Sequence, residues 1–531
     1  MTTYYVDFLT GSDGAGVAGT SEAPFRTPKR ALGAVGGGDT VYLRGNKEDP
    51  ATWFAEPLTI NKAGTTWEAD EGHTPTFHGG YVPTVGSRSS YAMHGRPGAS
   101  TGELLGIAAA DVTVSGLRVQ HSGGEGIGVG ANAHGARILN CEIFMTYGNG
   151  IIVAGIPRGA KVRGVEIGHC EISYISQGWF AVGNKGSGCG VMLRDCEDAR
   201  MHHCQVHHVC KEGVNVDRGG LGTIVEHCVI HTVNHVAIYI LRTQDSHVRY
   251  NLIYHTKEAD YLGEAYKKRT APVAIRIGDE SNRNDDGSSM TGHWNSREQR
   301  VYGNVVIGGG KCLHVANNNV QYETQLNDAY VGFNTFVGEV WTDPKGVSKT
   351  EQVVQIGANV LGPGPHVDSL IENNVFYAPA GVSLGMVAGV EGVTFRNNGW
   401  FSGDGAGVPA GAAGVGDVVG DPLLVAPESG SVDVEDYRPA AGSLLVGAAS
   451  DGSAVDGVRP WMTGRTIGAL GAAVVEPPDE PEPPVVLDEV VSGLRELRVR
   501  LEEAGFQVGA ALVDVDLLLE RMEGMAASGG V

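Results

Sequence analysis

Val162-Arg163-Gly164-Val165-Glu166-Ile167-Gly168-His169-Cys170-Glu171-Ile172 is the phrase on which the fold of this chain depends, because versions of it recur along the sequence. Apolar and polar residues alternate within it and glycines bound it, which predicts short β-strands rather than helices. Its cysteine has counterparts at Cys141, Cys204 and Cys228. Further along the chain asparagine takes the same place, at Asn251, Asn304, Asn334, Asn374 and Asn398.

The spacing of this phrase indicates a solenoid. The shortest intervals, from Cys204 to Cys228 and on to Asn251, are 24 and 23 residues, which is the length of one supersecondary repeat. A second strand can be aligned in each repeat, beginning at Gly126, Gly150, Gly190, Gly213, Ala237, Ala274, Cys312 and Val353. Parallel strands about 4.8 Å apart, with no helical crossover between them, predict an all-β right-handed parallel β-helix.

Composition limits the classes of partner. The chain has 531 residues, 80 of them glycine, and a formal net charge of −22. Binding to nucleic acid or to an anionic membrane requires clustered Lys and Arg, so the sequence predicts neither partner. No apolar segment reaches transmembrane length, and no membrane insertion is expected.

The eight cysteines predict buried thiols rather than disulfides. Cys141, Cys170, Cys204 and Cys228 occupy inward positions, where a free cysteine behaves as a small apolar side chain. The sequence after Met1 has neither the basic region nor the apolar stretch of a signal peptide. We therefore expect the chain to be synthesised and finished in a reducing cytoplasm.

Both ends of the predicted coil resemble pectate-lyase-like β-helix proteins, and the resemblance spans roughly residues 4 to 470. The motifs that carry it are Tyr4-Tyr5-Val6-Asp7, Gly11-Ser12-Asp13, Ala23-Pro24-Phe25-Arg26-Thr27, Gly38-Asp39-Thr40-Val41, Gly420-Asp421-Pro422, Asp436-Tyr437-Arg438-Pro439 and Ile467-Gly468-Ala469. Leu444 departs from the pattern, because the family usually has proline there. The resemblance implies a polysaccharide-handling scaffold, with lyases, glycosidases and phage tail spikes among its members, and it does not choose between them.

The sequence predicts five regions. They are an N-terminal cap with the first rungs (1–110), the parallel β-helix (111–419), a C-terminal cap region (420–475), a Pro/Glu-rich linker (476–486) and a coiled-coil helix (487–525). Leu487, Leu494 and Leu501 begin an a/d heptad pattern that continues for more than five heptads. The wide apolar stripe favours a homotrimer. A helical hairpin that breaks near Gly505 and Gly509 is the alternative.

A column of outward residues on the second strand is the candidate site. It runs through Met192, Asn215, Tyr239, Arg276, His314 and Gln355. Beyond it lie Arg194, Asp195, Asp217, Arg218, Arg242, Asp279 and Asn317. We assign substrate binding to Asn215, Tyr239, Arg242, His314 and Asn317, and catalysis to Asp195, Asp217, Arg218, Arg276 and Asp279.

Two chemistries fit such a strip. A glycosidase needs two carboxylates, for which Asp195 and Asp217 are the first candidates and Asp279 is the reserve. A lyase needs a base and a cation near the substrate carboxylate, roles open to Arg218, Arg242, Arg276 or Lys211. The resemblance implies Ca²⁺ if the chain is a lyase, and no other cofactor is predicted. A solvated face, with or without glycan binding, is the non-catalytic alternative.

Histidines beside the cysteines do not lead to a predicted metal site. His169, His203 and His227 precede ladder cysteines, and His202 and His207 lie close to them. Stacked side chains should run parallel to one another, whereas structural zinc needs converging ligands.

These observations together favour a phage tail spike or minor tail protein, located in the virion. Such a protein would bind a bacterial surface polysaccharide and would contact other tail proteins. If the protein is also an enzyme, it would cleave that polysaccharide. A free lyase or hydrolase and a purely structural virion component are the alternatives.

Overall fold

The computed structural model describes residues 1–80, 102–154, 161–176, 188–255, 272–278, 296–315, 326–340, 351–357, 366–427, 433–449 and 466–470. Asp279, Asn317, the linker 476–486 and the heptads of 487–525 lie outside the described residues. The chain divides into two units, Met1–Ala473 and Val474–Val531. All elements reported below belong to the first unit.

Within the described residues, three long parallel sheets form the walls of a coil, and each turn of the coil passes through sheets A, B and C in that order. Sheet A contains Thr3–Asp7, Thr40–Arg44, Thr66–Ala69, Thr113–Ser115, Arg137–Leu139, Glu166–Gly168, Arg200–His202, Ile224–Glu226, His247–Arg249, Arg300–Tyr302, Tyr330–Gly332, Ser369–Glu372 and Val393–Arg396. Sheet B contains Thr76–His78, Arg118–Ser122, Glu142–Thr146, Glu171–Ile175, Gln205–Val209, Val229–Val233, Leu252–Tyr254, Val305–Ile307, Thr335–Val337, Val375–Ala378, Gly399–Ser402 and Val418–Val419. Sheet C contains Leu58–Ile60, Leu105–Ile107, Ile127–Val129, Ile151–Ala154, Cys189–Arg194, Glu212–Asp217, Val236–Leu241, Val273–Gly278, Lys311–Val315, Gln352–Ile356 and Ser383–Val387. The expected all-β parallel β-helix is confirmed.

Helices contribute little to this architecture. A short α-helix, Pro28–Leu32, begins after Thr27, whose hydroxyl accepts a hydrogen bond from the Arg30 amide. Two 3₁₀ segments, Pro50–Thr52 and Val434–Tyr437, begin after aspartates whose carboxylates accept backbone amides in the same way. A further short parallel pair joins Val162–Arg163 to Cys196–Glu197. No helix among the described residues is long and apolar enough to cross a membrane.

The repeated phrase contains two strands rather than the one that the sequence suggested. In the rung of Cys170, Glu166–Gly168 belongs to sheet A and Glu171–Ile175 to sheet B. His169 lies between them with φ of 55°, in the left-handed region that turns the chain sharply. The corresponding corners are turned by Asn140, His203, His227, Tyr250, Phe333, Asn373 and Asn397, all with positive φ. A corner made by one residue leaves the alternation of apolar and polar residues nearly intact, so the corner cannot be recognised from the sequence pattern.

The residue after each corner points into the coil and forms the predicted ladder. All eight cysteines are buried and free, as expected. In the asparagine part, both the backbone amide and Nδ2 of Asn304 donate to Oδ1 of Asn334, at 3.0 and 2.9 Å. Asn334 makes the same pair of bonds to Asn374. The ladder therefore joins successive rungs by side-chain as well as main-chain hydrogen bonds.

Described residues within 424–427, 433–449 and 466–469 pack against the outward face of sheet B on the later rungs. Leu424, Tyr437 and Ile467 share one buried cluster with Val337 and Tyr377 of sheet B. The Gly468 amide donates to the Asn373 carbonyl at 2.8 Å, and the Ala469 amide donates to Thr335 Oγ1 at 3.0 Å. The predicted cap region thus covers a side of the coil.

Candidate functional site

The predicted column lies in register on the outward face of sheet C. Met192 pairs with Asn215, and Tyr239, Arg276, His314 and Gln355 follow on successive strands. Their neighbours along each strand, such as Val214 and Val216, point into the core instead. The column is nevertheless buried, because every member is less than 9% exposed. The sequence predicted the direction of these side chains but not their burial.

Three column residues carry buried polar atoms that lack a hydrogen-bond partner among the described residues. They are Asn215 Oδ1, His314 Nδ1 and Gln355 Oε1, in residues that are 4, 8 and 8% exposed, respectively. A buried polar atom without a partner costs about 1–3 kcal/mol, and such atoms are rare in folded proteins. The three atoms share one column, and a polar ligand would supply their missing partners only if side chains on this face moved to admit it.

A basic cluster lies in the middle of the column. The Arg276 guanidinium lies 4.8 Å from the centroid of the Tyr239 ring, in a cation–π contact. Burial and the charge of Arg276 lower the pKa of Lys311. Burial, Lys311 and Arg276 together lower the pKa of His314 to about 3. The sequence analysis did not name Lys311, which is aligned with Val273 on the preceding strand and with Gln352 on the following strand.

Asp217 lies at the centre of an arginine network. Its carboxylate is 3.1 Å from Arg194, 3.0 Å from Arg242 and 3.6 Å from Arg218. Only 4% of the side chain is exposed. Buried carboxylates paired in this way are usually structural, because losing one partner leaves an uncompensated charge.

Asp195 and Asp217 do not face each other as a free carboxylate pair. Asp217 is aligned with Arg194 on the adjacent strand, and the Asp195 amide donates to the Arg218 carbonyl at 3.0 Å. Acidic and basic residues therefore alternate across the two rungs. Asp195 itself lies at a turn with φ of 49° and is partly exposed. The roles assigned to Asp195, Asp217, Arg218 and Arg242 stay predictions.

An acidic hydrogen-bonded chain borders the column toward the N-terminal rungs. Glu125 accepts the Asn149 amide, and Asn149 Oδ1 accepts the Cys189 amide at 2.6 Å. Cys189 Sγ donates to Glu212 at 3.3 Å, and Asn215 Nδ2 also donates to Glu212. Cys189 and Glu212 are aligned at the start of neighbouring sheet C strands. Cys189 and Glu212 each lie two positions before the first inward aliphatic residue of their strand, and this spacing could have identified them from the sequence.

Glu125 and Glu212, the two carboxyl groups of this hydrogen-bonded series, have opposite pKa shifts. Burial raises the pKa of Glu125, and the hydrogen bonds from Asn149 offset this only in part. Burial opposes ionisation of Glu212, but hydrogen bonding to His235 and the charge of Lys211 outweigh it, so that its pKa falls to about 2. Glu212 is thus an anion that holds Lys211, at 3.7 Å, and Glu125 is the better proton donor.

Several solved structures are similar to this chain at low sequence identity. They include pectate lyase Pel9A (14% identity, 89% of this chain and 97% of that chain, TM-score 0.47). Another is the Dettilon tailspike protein gp208 (14% identity, 75% and 65%, TM-score 0.40). A third is PfbA, a surface adhesin of Streptococcus pneumoniae (10% identity, 70% and 80%, TM-score 0.41). A search of curated proteins finds no match.

A family model agrees with the sheets themselves. Residues 159–329 match the model described as "Right handed beta helix region". The matched segment includes most of the column on sheet C and the change from cysteine to asparagine in the ladder. The described residues of the first unit form a parallel β-helix, the fold that the pectate-lyase-like motifs implied, and residues 159–329 match the right-handed form of that fold.

Proposed function

We propose that this chain is a phage tail spike or minor tail protein that binds a bacterial surface polysaccharide along the outward face of sheet C. One observation carries the binding proposal, namely the column of buried polar atoms without partners at Asn215, His314 and Gln355 among the described residues. Sugar hydroxyls both donate and accept hydrogen bonds, so they would satisfy amide and imidazole groups alike. His314 and Gln355 lie on neighbouring rungs and Asn215 lies three rungs before His314, so these contacts would be spread along an extended glycan.

The charges on this face favour an acidic glycan. The chain is strongly acidic as a whole, with a net charge of −22, yet Arg276 and Lys311 lie together beside His314. Two cations that lie close together on one face attract an anion more strongly than one does. Sugars that carry carboxylates, such as uronic acids, would supply that anion.

A second candidate function is cleavage of the bound glycan, and the pKa of Lys311 favours a lyase. β-Elimination from a uronic acid needs a base for the proton beside the carboxyl group, and a lysine with a lowered pKa is more readily neutral near pH 7. Arg276 would then stabilise the developing negative charge. A Ca²⁺ ion, as the resemblance implies for lyases, would serve the same purpose, and the roles of Lys311 and Arg276 do not require it.

The binding proposal is tested with Gln355→Met. This change removes the unsatisfied Oε1 while keeping the length of the side chain, so we expect the fold to be retained. Retention on an immobilised acidic bacterial polysaccharide should weaken about tenfold, because one hydrogen bond is lost. Gln205→Met is the matched control, since Gln205 lies on the exposed side of sheet B.

The same assay separates the alternatives. Retention together with release of unsaturated oligosaccharides would assign the lyase, and retention without products would assign a binding spike. If the wild-type chain neither binds nor cleaves acidic or neutral surface polysaccharides, the structural virion component becomes the better explanation. Equal binding by the Gln355 and Gln205 variants would contradict the assignment to sheet C.

For the assembly, we propose that three chains associate through residues 487–525. The heptad pattern supports this, and the region lies outside the described residues. Light scattering of the full chain should give three times the mass of one chain, 55.6 kDa. A version ending at Ala473 should give a monomer, because it lacks every heptad. A trimer in both would place the trimer contacts in the β-helix, and a monomer in both would contradict the coiled coil.

A further inference from the structure

A cluster of histidines lies at the corner between sheets A and B, separate from the column on sheet C. One ring nitrogen from each of His169, His202 and His203 lies within 4.8 Å of the others. His169 comes from one rung, and the His202-His203 pair comes from the next. His169 and His203 are exposed, whereas His202 is 7% exposed. We propose that these three imidazoles form a binding site for a divalent transition-metal cation of the zinc class.

The orientation of the rings permits convergence. His169 and His203 stack at 4.9 Å with an angle of 14°, as expected for equivalent corners of neighbouring rungs. His202 belongs to sheet A, and its ring is 87° from His169 and 84° from His203. The sequence analysis assumed parallel side chains, which holds for the corner histidines alone. The perpendicular ring of His202 brings a ring nitrogen within 4.8 Å of a nitrogen of each of the other two.

The distances suit a metal site. Nδ1 of His202 and Nδ1 of His203 are 3.0 Å apart, and two nitrogens bound tetrahedrally to one zinc ion are about 3.3 Å apart. The nitrogen of His169 lies within 4.8 Å of the other two, so the exposed His169 and His203 rings would rotate out of their stacked arrangement to complete the site. Imidazole nitrogen suits zinc, nickel and copper, whereas Ca²⁺ and Mg²⁺ prefer oxygen.

A carboxylate already fixes the required form of His202. Its Nε2 lies 3.0 Å from Glu166 Oε1. Because an ionised carboxylate only accepts hydrogen bonds, Nε2 carries the proton, and Nδ1 of the neutral ring keeps a lone pair directed at His203. Carboxylates hold metal-binding histidines in this way in many proteins. A cation here would link two rungs of the coil.

The chain also contains a natural comparison for this arrangement. His207 and His208 have Nδ1 atoms 2.6 Å apart, and His207 Nε2 is 3.4 Å from Glu171. However, His231 stacks parallel to His207, at 3° and 4.8 Å, instead of presenting a converging nitrogen. This second pair forms no three-residue group among the described residues. The pair of His207 and His208 therefore serves as an internal control.

The test is calorimetric titration of Zn²⁺ into the full chain without a polyhistidine tag, using His169→Asn and His203→Asn. Asparagine is compatible with these corners, because Asn140, Asn373 and Asn397 occupy the same place on other rungs with positive φ. Removing a group that only orients a ligand typically lowers metal affinity about 10- to 100-fold, so removing a ligand should cost at least as much. Zn²⁺ should also raise the melting temperature of the wild-type chain.

The control variants are His227→Asn and His208→Asn. His227 occupies the next corner and stacks on His203 at 5.0 Å, but it does not belong to the three-histidine group. Both controls should bind one Zn²⁺ with wild-type affinity, and excess Ca²⁺ or Mg²⁺ should not displace it. No stoichiometric Zn²⁺ binding, or equal binding by all four variants, would show that His202 and His203 only hydrogen-bond to each other. Loss of binding in His208→Asn alone would place the cation at the second pair and overturn the proposal.

Discussion

Asn334→Ala is expected to lower the free energy of unfolding by at least about 3 kcal/mol. Asn334 Oδ1 accepts both the backbone amide and Nδ2 of Asn304, and its own Nδ2 donates to the Val301 carbonyl and to Asn374 Oδ1. The residue is 0% exposed, so water cannot replace these partners in the folded state. Urea unfolding followed by circular dichroism would measure the loss.

Cys204→Ala is the matched control, because Cys204 occupies the same ladder position on an earlier rung. Its thiol lies 3.2 Å from the His202 carbonyl and 3.7 Å from the Ile167 carbonyl, and it accepts the Cys170 amide at 3.4 Å, all of which are weak sulfur contacts. Removing one buried sulfur atom should cost about 1 kcal/mol. Equal losses in the two variants would mean that the asparagine ladder contributes shape rather than hydrogen bonding.

Asp217→Asn is expected to destabilise the chain by about 3–5 kcal/mol, because it removes a buried anion that contacts buried Arg242 and partly exposed Arg194 and Arg218. Arg242 is the most affected, since its side chain is 6% exposed and lies 3.0 Å from the carboxylate. Thermal unfolding at neutral pH would measure the effect. Asp195→Asn, on the partly exposed neighbouring turn, should change stability by less than about 1 kcal/mol.

The same pair of variants distinguishes a structural from a catalytic role. If Asp217→Asn folds with wild-type stability but loses glycan cleavage, Asp217 belongs to the reaction and the structural interpretation of the arginine network is wrong. If it loses stability while cleavage by the folded fraction persists, the two aspartates are not the catalytic pair. Loss of cleavage in Asp195→Asn at unchanged stability would retain Asp195 as a catalytic residue.

Much of the coil could be predicted from sequence, because each rung repeats the environment of its neighbours. The ladder of Cys170, Cys204, Asn251 and Asn304 and the register of sheet C both follow from periodicity. The third sheet was missed because corners such as His169 use one residue in the left-handed conformation, and this scarcely disturbs the alternation of apolar residues.

The candidate site was predicted less completely, since burial and convergence depend on contacts between rungs. Periodicity placed Tyr239 and Arg276 on one face, but it could not show that they are less than 9% exposed. Lys311 was missed because the aligned residues on the two preceding rungs, Val236 and Val273, are apolar. The imidazole rings of His202 and His203 are nearly perpendicular because His202 lies in sheet A and His203 lies at the corner. The sequence analysis treated the phrase as one strand and therefore could not predict this difference.

The asparagine ladder also has a chemical direction. The backbone amide of each ladder asparagine donates toward the C-terminal rung, from Asn251 to Asn304 and onward to Asn398, whose amide donates to Asp417 Oδ1 at 2.9 Å. Each Nδ2 also donates to a carbonyl of the preceding rung, as Asn398 Nδ2 does to the Ile371 carbonyl. The other Asp417 oxygen accepts Trp400 Nε1 and the Gly414 amide, both at 2.9 Å. An ionised carboxylate has no proton to pass on. Asp417 therefore ends the ladder. Its carboxylate accepts the Asn398 amide, and its side chain has no donor to offer to a further rung.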